Sequence, residues 1–310
     1  MRLDLGRVRA ARTVIDPVFL DTPQYDCEPL GEVLGCRMVL KVETLNPVRS
    51  FKGRGTETVL ARGTQRAVVC ASAGNLGQAL AYGGRRRGMD VTVVASSAAH
   101  PLKLARTRAL GAEVVLVDGD IDVALETAAD LAARTGASLV RDSFDLDTCE
   151  GAATIGLELA ALPGDLDVVL VSLGAGAMAS GVGFALRRLR PGVRTVCVQP
   201  ERAPAMTLAL RAGRAVEVGP PDTIADGVAG RSVLPEVLAD LAAVVDDAVL
   251  VSEAAIVEAM HLVHEHAGLV VEPAAALGVA AVLESDGRFA GLRVATVLCG
   301  SNADLADYPR

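Results

Sequence analysis

A single lysine lies between an aromatic residue and a glycine in residues 50–55, whose sequence is SFKGRG. The chain is poor in lysine, so this position, Lys52, stands out. With Phe51 on one side and glycines nearby, the amine has little room for a hydration shell. A desolvated lysine loses its proton readily and becomes a nucleophile toward aldehydes. The hexapeptide indicates a Schiff-base lysine, and an ordinary loop lysine between two elements explains it equally well.

A second polar loop, SAGN at residues 72–75, follows an apolar run at 67–71 that is typical of a buried strand. Ser72 and Asn75 offer a hydroxyl and an amide, and Gly74 lets the backbone approach a ligand. The N-terminus of the following helix favours an anion. The loop could therefore hold a carboxylate. A helix N-cap with a tight turn is the alternative interpretation, and it has the same sequence.

A third loop, GAGAMASG at residues 174–181, follows a predicted strand at 168–173 and begins a helix. Small residues there leave backbone N–H groups free to bind a phosphate. A dinucleotide site would have the spacing GxGxxG, whereas this loop has GxGxxxxG. The next strand ends at Gln199, where a ribose-binding acid would be expected. There is no Walker lysine either, so a single phosphate monoester fits better.

A fourth loop, CGSN at residues 299–302, follows the last predicted strand. Cys299 could be a reactive thiol, but no histidine is near it in sequence, and a neutral hydrogen-bonding group is the milder interpretation. His261 and His264 invite a metal hypothesis, yet their spacing matches neither HExxH nor HxxEH. They lie on one helix face, which we expect to be solvated, and we predict no metal site.

The elements that position these loops alternate between strands and helices. From about residue 66 the order is βαβαβαβ, with strands predicted at 67–71, 91–94, 113–117 and 137–140. The alternation restarts after a predicted break at 142–150, with a helix at 157–161 and a strand at 168–171. A helix from Ser252, its N-cap, to about His266 and a final strand at 294–299 follow. We predict two α/β lobes with a ligand cleft at the strand ends.

Composition narrows the class of protein. The chain has 310 residues, is 51% hydrophobic and has no apolar run near the roughly 18 residues of a membrane span. The N-terminus has no secretory signal, and six scattered cysteines lack metal or disulfide spacing. A net charge of −8 argues against nucleic acid. The basic run at 85–87 is expected to end a helix. We expect a cytoplasmic enzyme that binds neither nucleic acid nor membrane.

In this order, the lysine, phosphate and polar loops resemble those of the fold-type II pyridoxal-phosphate enzymes, and within them the serine/threonine dehydratase (threonine ammonia-lyase) group. The resemblance extends from about Thr22 to Asp304 and includes the TIADG sequence at 223–227 and the Glu272-Pro273 pair. It implies two doubly wound α/β lobes of the tryptophan synthase β type, with pyridoxal 5'-phosphate in the cleft. The larger domain would comprise residues 1–60 and 142–310, and the smaller α/β domain residues 61–141.

The resemblance also implies a role for each matching position. Lys52 would bind the cofactor as a Schiff base and later move the Cα proton, and Ser72 would be the second catalytic residue. Backbone N–H groups would hold the phosphate, Asn75 the ring hydroxyl and Cys299 the pyridine nitrogen. The implied cofactor-binding residues are Phe51, Lys52, Asn75, Gly174, Ala175, Gly176, Ala177, Met178 and Cys299, and the implied substrate-binding residues are Ser72, Ala73, Gly74, Asn75 and Gly227.

The implied reaction is the α,β-elimination of a β-hydroxy amino acid of the L-threonine or L-serine type, which gives a 2-oxo acid and ammonia. Similar racemases have a second serine where this chain has Ala73, so racemisation should be minor. A histidine often follows the asparagine, and Leu76 replaces it. Gln199 and Ala205 stand where several relatives bind a divalent cation, so that site is expected to be absent.

Three further expectations follow from the resemblance. We expect a homodimer without an appended regulatory domain. A β-replacement synthase, or a dehydratase of an unusual β-hydroxy amino acid in a specialised pathway, is the alternative on the same scaffold. A catalytically inactive cofactor-binding regulatory protein is a third hypothesis, and the intact Lys52 argues against it.

Overall fold

A computed structural model describes residues 1–303 and Tyr308. Its strands form two sheets. The six-stranded sheet has the order β1-β2-β10-β7-β8-β9 and is parallel except for the β1–β2 pair, and the four-stranded sheet has the order β5-β4-β3-β6 and is parallel throughout. The strands are β1 Gln24–Asp26, β2 Arg37–Val42, β3 Ala67–Ala71, β4 Asp90–Ser96, β5 Glu113–Val117, β6 Ser138–Val140, β7 Val168–Ser172, β8 Arg194–Pro200, β9 Asp247–Val251 and β10 Arg293–Leu298.

Twelve α-helices in the described residues cover these sheets. They are α1 Leu5–Val14, α2 Glu28–Leu34, α3 Lys52–Arg62, α4 Asn75–Arg87, α5 Pro101–Ala109, α6 Ile121–Thr135, α7 Leu146–Ala160, α8 Ala177–Leu189, α9 Ala205–Ala212, α10 Pro235–Ala242, α11 Glu253–Ala267 and α12 Pro273–Leu283. No helix in the described part of the chain is long and apolar enough to cross a bilayer. Parallel strands joined through helices confirm the predicted α/β fold class.

Local signals explain several helix ends. The Ser252 hydroxyl accepts a hydrogen bond from the backbone N–H of Ala255, which confirms the predicted N-cap of α11. Helix α4 ends with three arginines at 85–87, as predicted, and Gly88 closes it in the left-handed conformation with φ 63°. The helix boundaries are therefore set by capping groups that the sequence displays.

The predicted break at 142–150 is wrong in its second half. Helix α7 begins at Leu146, and the helix predicted at 157–161 is only its last turn. Nearly every position of α7 is buried because it packs between α3 and α8, so its sequence lacks the alternation of apolar and polar faces that marks a surface helix. Gly151 permits this packing, since a Cβ there would lie 2.4 Å from the carbonyl oxygen of Arg54.

All residues of the smaller sheet lie between 67 and 140, and the larger sheet takes its strands from both sides of that segment. Three of its strands, β7, β8 and β10, are almost wholly buried, as expected for parallel strands covered on both faces. The domain boundaries at 61 and 141 stay a prediction.

Candidate active site

Lys52 is the first residue of α3, directly after a short extended segment that pairs with the loop following β10. Ser50 forms an isolated antiparallel bridge with Gly300, and the Phe51 N–H donates to the Cys299 carbonyl at 3.0 Å. The lysine loop and the CGSN loop, which are about 250 residues apart in sequence, are therefore held together by main-chain hydrogen bonds.

A buried ionic network anchors α3 beneath Lys52. The Arg54 guanidinium is fully buried and donates to both carboxylate oxygens of Glu43 and of Glu158, at 2.7 to 2.9 Å. Lys41 donates to Glu158 at 2.5 Å. Burial alone would raise the pKa of Glu158, but the hydrogen bonds and charge of Arg54 and the charge of Lys41 outweigh it and lower that pKa. The helix that begins at Lys52 is thus rigidly held.

The Lys52 amine lies in a small pocket, 2.5 Å from Oδ2 of Asp142 and 4.6 Å from the centre of the Phe51 ring. About a sixth of the Lys52 side chain is exposed (17%). The other residues that line this pocket are Gly55, Thr56, Leu76, Thr148 and Ala177. Leu76 belongs to the first turn of α4 and Ala177 to the first turn of α8. The structure therefore brings the amine to the N-termini of both helices.

The SAGN loop makes a tight turn at the start of α4. The Gly74 N–H donates to the Ser72 hydroxyl at 3.2 Å, and Gly74 is the N-cap residue, with no side-chain cap among the described residues. Gly77 lies against the loop, and a Cβ there would lie 2.0 Å from the Ser72 carbonyl oxygen. The turn predicted as the alternative is thus present, and it leaves N–H groups of α4 directed at the cleft.

Asn75 is fixed by a buried hydrogen-bond network. Its Nδ2 donates to Oε1 of Glu272 at 2.8 Å, and its Oδ1 accepts from Nδ2 of Asn302 at 2.7 Å. The Asn302 backbone N–H donates to the other Glu272 oxygen at 2.9 Å. Burial raises the pKa of Glu272, and the two hydrogen bonds it accepts oppose that rise. Since an amide nitrogen has two hydrogens, one N–H of Asn75 remains for a ligand.

The phosphate loop runs from the end of β7 to α8. Gly176, the N-cap of α8, has φ 110°, a conformation that favours glycine. The four non-glycine residues with positive φ in residues 1–303 and Tyr308 do not include Ala175 or Ala177, so the alanines of the loop are tolerated, as the sequence required. A Cβ at Gly174 would approach the Gly227 carbonyl oxygen to 3.2 Å, which places Gly227 beside this loop.

Polar groups at the start of α8 are free or weakly occupied. The Ala177 N–H donates to the Ser143 hydroxyl at 2.8 Å, and the buried Ser180 hydroxyl has no hydrogen-bond partner within the described residues. Met178 is buried in the main core, so it can offer a ligand only its backbone. A helix N-terminus without a side-chain cap and with an unpartnered hydroxyl is suited to a phosphate ester.

Cys299 is buried and unpaired. Burial raises the pKa of its thiol, and the nearby Glu272 charge raises it further. The thiol is therefore neutral at physiological pH, which agrees with the milder interpretation of a neutral hydrogen-bonding group. The five other cysteines are buried and unpaired as well.

Sequence reasoning missed several residues of this site. Asp142 and Ser143 lie in the segment predicted as a break, and the contacts of Glu272 and Asn302 with Asn75 were not predicted. A signal for Asp142 exists, because it directly follows the predicted strand at 137–140, at the sheet edge that also carries Ser72. His261 and His264 contact the Tyr308 ring, and no group of three or more metal-ligating side chains occurs in residues 1–303 and Tyr308.

These residues fit pyridoxal phosphate, since they provide an amine, an uncapped helix N-terminus, a free amide N–H and a neutral thiol. The family profile described as "Pyridoxal-phosphate dependent enzyme" matches residues 15–300. The chain is 38% identical to L-threonine ammonia-lyase of Thermotoga maritima over 98% of its length and 76% of that protein.

Two further comparisons agree. The chain is 33% identical to L-threo-3-hydroxyaspartate ammonia-lyase of Pseudomonas sp., over 93% of this chain and 91% of that one. The crystal structure of a threonine deaminase from the organism abbreviated T.th. superimposes with a TM-score of 0.92 at 34% identity, covering 98% of this chain and 99% of that one. The profile covers most of the chain, and the pocket around Lys52 offers the groups that its cofactor requires. The chain therefore belongs to the pyridoxal-phosphate-dependent enzymes.

Proposed function

We propose that this protein is an ammonia-lyase that removes the β-hydroxyl of an amino acid of the L-threonine or L-serine type and yields a 2-oxo acid and ammonia. The observation that carries the proposal is the shared pocket of the Lys52 amine and the first turn of α8, which puts a proton-carrying amine beside a phosphate-binding helix end. The names of the relatives, a threonine and a hydroxyaspartate ammonia-lyase, support the same reaction class.

In this proposal the N–H groups around Gly176 hold the phosphate, and the free N–H of Asn75 donates to the ring hydroxyl. The neutral Cys299 thiol meets the pyridine nitrogen and gives it no proton. Bound pyridoxal phosphate supplies an electron sink for the pair released at Cα. These contacts fix the ring, so that Lys52 is the group placed to act on the substrate.

On the substrate side, the Ser72 hydroxyl and the N–H groups at the start of α4 hold the carboxylate, and Gly227 leaves room for the substrate beside Gly174. The Lys52 amine, once displaced by the substrate's own amine, removes the Cα proton. The Cα–H electron pair forms the Cα–Cβ double bond while the Cβ–O bond breaks and the hydroxyl leaves with a proton as water. Hydrolysis then gives the 2-oxo acid and ammonia.

Position 73 favours elimination over racemisation. Racemisation needs a second group that returns a proton to the opposite face of Cα, and Ala73 has no titratable atom. A β-replacement synthase remains the second candidate on this scaffold, because it would use the same Lys52 and phosphate loop.

The test is incubation of the purified holoenzyme with L-serine, L-threonine and L-threo-3-hydroxyaspartate, with measurement of 2-oxo acid and ammonia. We expect at least one of them to give both products in equal amounts, and Lys52→Ala to abolish both product formation and the visible absorbance of the Schiff base. If none gives product while a thiol is consumed with O-acetylserine, the chain is a synthase. If no amino acid changes the cofactor spectrum, the inactive binding protein is correct.

We also propose that the enzyme works in the cytoplasm as a homodimer. Six unpaired cysteines support a reducing compartment. Exposed Leu116, Ile121 and Val123 near the edge strand β5 offer apolar surface for a second copy. Light scattering after size exclusion should give twice the chain mass of 31.9 kDa, and the mass of a single chain would contradict the dimer.

A further inference from the structure

The closest polar neighbour of the Lys52 amine is a carboxylate that no role above uses. Oδ2 of Asp142 lies 2.5 Å from Nζ of Lys52, and about a fifth of the Asp142 side chain is exposed (22%). Its second oxygen, Oδ1, is buried and has no hydrogen-bond partner within residues 1–303 and Tyr308. A buried polar atom without a partner is unfavourable, so its presence in the pocket calls for a functional explanation.

The fold places Asp142 at the substrate side of the pocket. Strands β3 and β6 are parallel neighbours with Cys70 opposite Val140, and the residues two positions further on are Ser72 and Asp142. Asp142 therefore lies at the same sheet edge as the loop proposed to hold the substrate carboxylate. Lys52 reaches it from α3, which lies outside this sheet.

Charge makes the pairing of Lys52 and Asp142 specific. Of the residues lining the pocket, only these two are charged, and the others are Phe51, Gly55, Thr56, Leu76, Thr148 and Ala177. With so little water around it, an ammonium formed on Lys52 has Asp142 as its nearby counter-ion. A carboxylate at this distance also fixes the direction in which the amine points.

We propose that Asp142 is the positioning residue that receives Lys52 whenever its amine is not joined to the cofactor. The inference rests on the proposed function. When Lys52 removes the proton, the Cα–H bond breaks, an Nζ–H bond forms, and the electron pair passes to the forming Cα–Cβ bond as the β-hydroxyl leaves. The new positive charge on Nζ is stabilised by the Asp142 carboxylate, which therefore assists the proton transfer without touching the substrate.

Asp142→Asn tests the charge, because it retains the shape and one acceptor oxygen. With L-threonine and its α-deuterated form, we expect kcat to fall about 10- to 100-fold, with KM changed less than about threefold and a larger primary isotope effect on kcat. A larger isotope effect means that proton removal itself has become slower. Asp147→Asn is the matched control, since Asp147 pairs with Arg62 outside the pocket, and it should leave all three quantities unchanged.

A second readout does not depend on turnover. In the apoenzyme, the Asp142 carboxylate favours the protonated and unreactive form of Lys52, so trinitrobenzenesulfonate should arylate Lys52 several-fold faster in Asp142→Asn than in the wild type. Peptide mass analysis assigns each adduct, because the chain has three lysines. Lys41 is fully buried, and Lys103, which pairs with Asp226, is the internal standard whose rate should not change.

The outcomes separate cleanly. An active wild type together with wild-type kcat, isotope effect and arylation rate in Asp142→Asn overturns this inference and leaves the proposed function standing. Loss of kcat with an unchanged isotope effect and arylation rate would make Asp142 merely structural, which also overturns it. Asp142→Glu should restore part of kcat. If Asn prevents folding, Asp142→Ser removes the same charge in less volume and is judged by the same two readouts. A wild type without 2-oxo acid product refutes the proposed function instead.

Discussion

Replacement of Arg54 by methionine should destabilise the enzyme strongly, because Arg54 neutralises two buried carboxylates. In the wild type its guanidinium makes two hydrogen bonds to Glu43 and two to Glu158. After the change Lys41 remains 2.5 Å from Glu158 but 3.9 Å from Glu43, so a buried negative charge is left without a close partner. Removing one partner of a buried pair costs about 3 to 5 kcal/mol. We expect a loss in this range.

The assay is urea unfolding of the holoenzyme, followed by far-ultraviolet circular dichroism because the chain has no tryptophan. With a slope of about 3 kcal/mol per molar urea, the midpoint should fall by about 1 to 2 M. Arg202→Met is the matched control. Its ion pair with Asp222 is exposed, and its loss should cost less than about 1 kcal/mol. If Arg54→Met does not accumulate, Arg54→Lys keeps the charge without the fork and should lose less.

The deficit of Arg54→Met should also depend on pH. The lowered pKa of Glu158 in the folded state means that its ion pairs stabilise the wild type above the pKa of the unfolded chain and lose that effect as pH falls through the folded pKa. The difference between wild type and variant should therefore shrink toward acid. A midpoint as unaffected as that of Arg202→Met, or a deficit that grows toward acid, would refute this account of the network.

Three other predictions concern the cofactor and substrate contacts. Gly300→Ala should weaken pyridoxal phosphate binding at least about tenfold, because a Cβ there would lie 2.4 Å from a Glu272 oxygen. Gly192→Ala, with nothing within 4 Å, is its control, and equal cofactor affinities would contradict the prediction. The raised pKa of Glu272 implies stability that is present below its unfolded pKa and lost as pH rises through the folded value. Glu272→Gln should remove that component in urea midpoints measured across pH, and an unchanged profile would count against it. Ser72→Ala should raise KM for L-threonine more than it lowers kcat, and a wild-type KM would exclude the carboxylate role.

The sequence by itself determined the fold class and most of the cofactor site. Strands rich in valine and leucine alternate with helices, and this local pattern is enough to predict parallel sheets covered by helices. The lysine, SAGN, glycine and CGSN loops were found because each directly follows or precedes such an element, and strand ends of an α/β fold converge on a cleft. The predicted roles of these residues remain predictions until they are tested.

Only the tertiary structure decided which side chains support those loops. Helix α7 was partly missed because burial on nearly all sides removes the periodicity by which a helix is recognised. Asp142 and Asn302 lie 90 and 227 residues from the side chains they contact, Lys52 and Asn75. Patterns in sequence report neighbours along the chain, whereas a carboxylate beside the reacting amine depends on how two sheets and α3 pack, and that packing is set by contacts far apart in sequence.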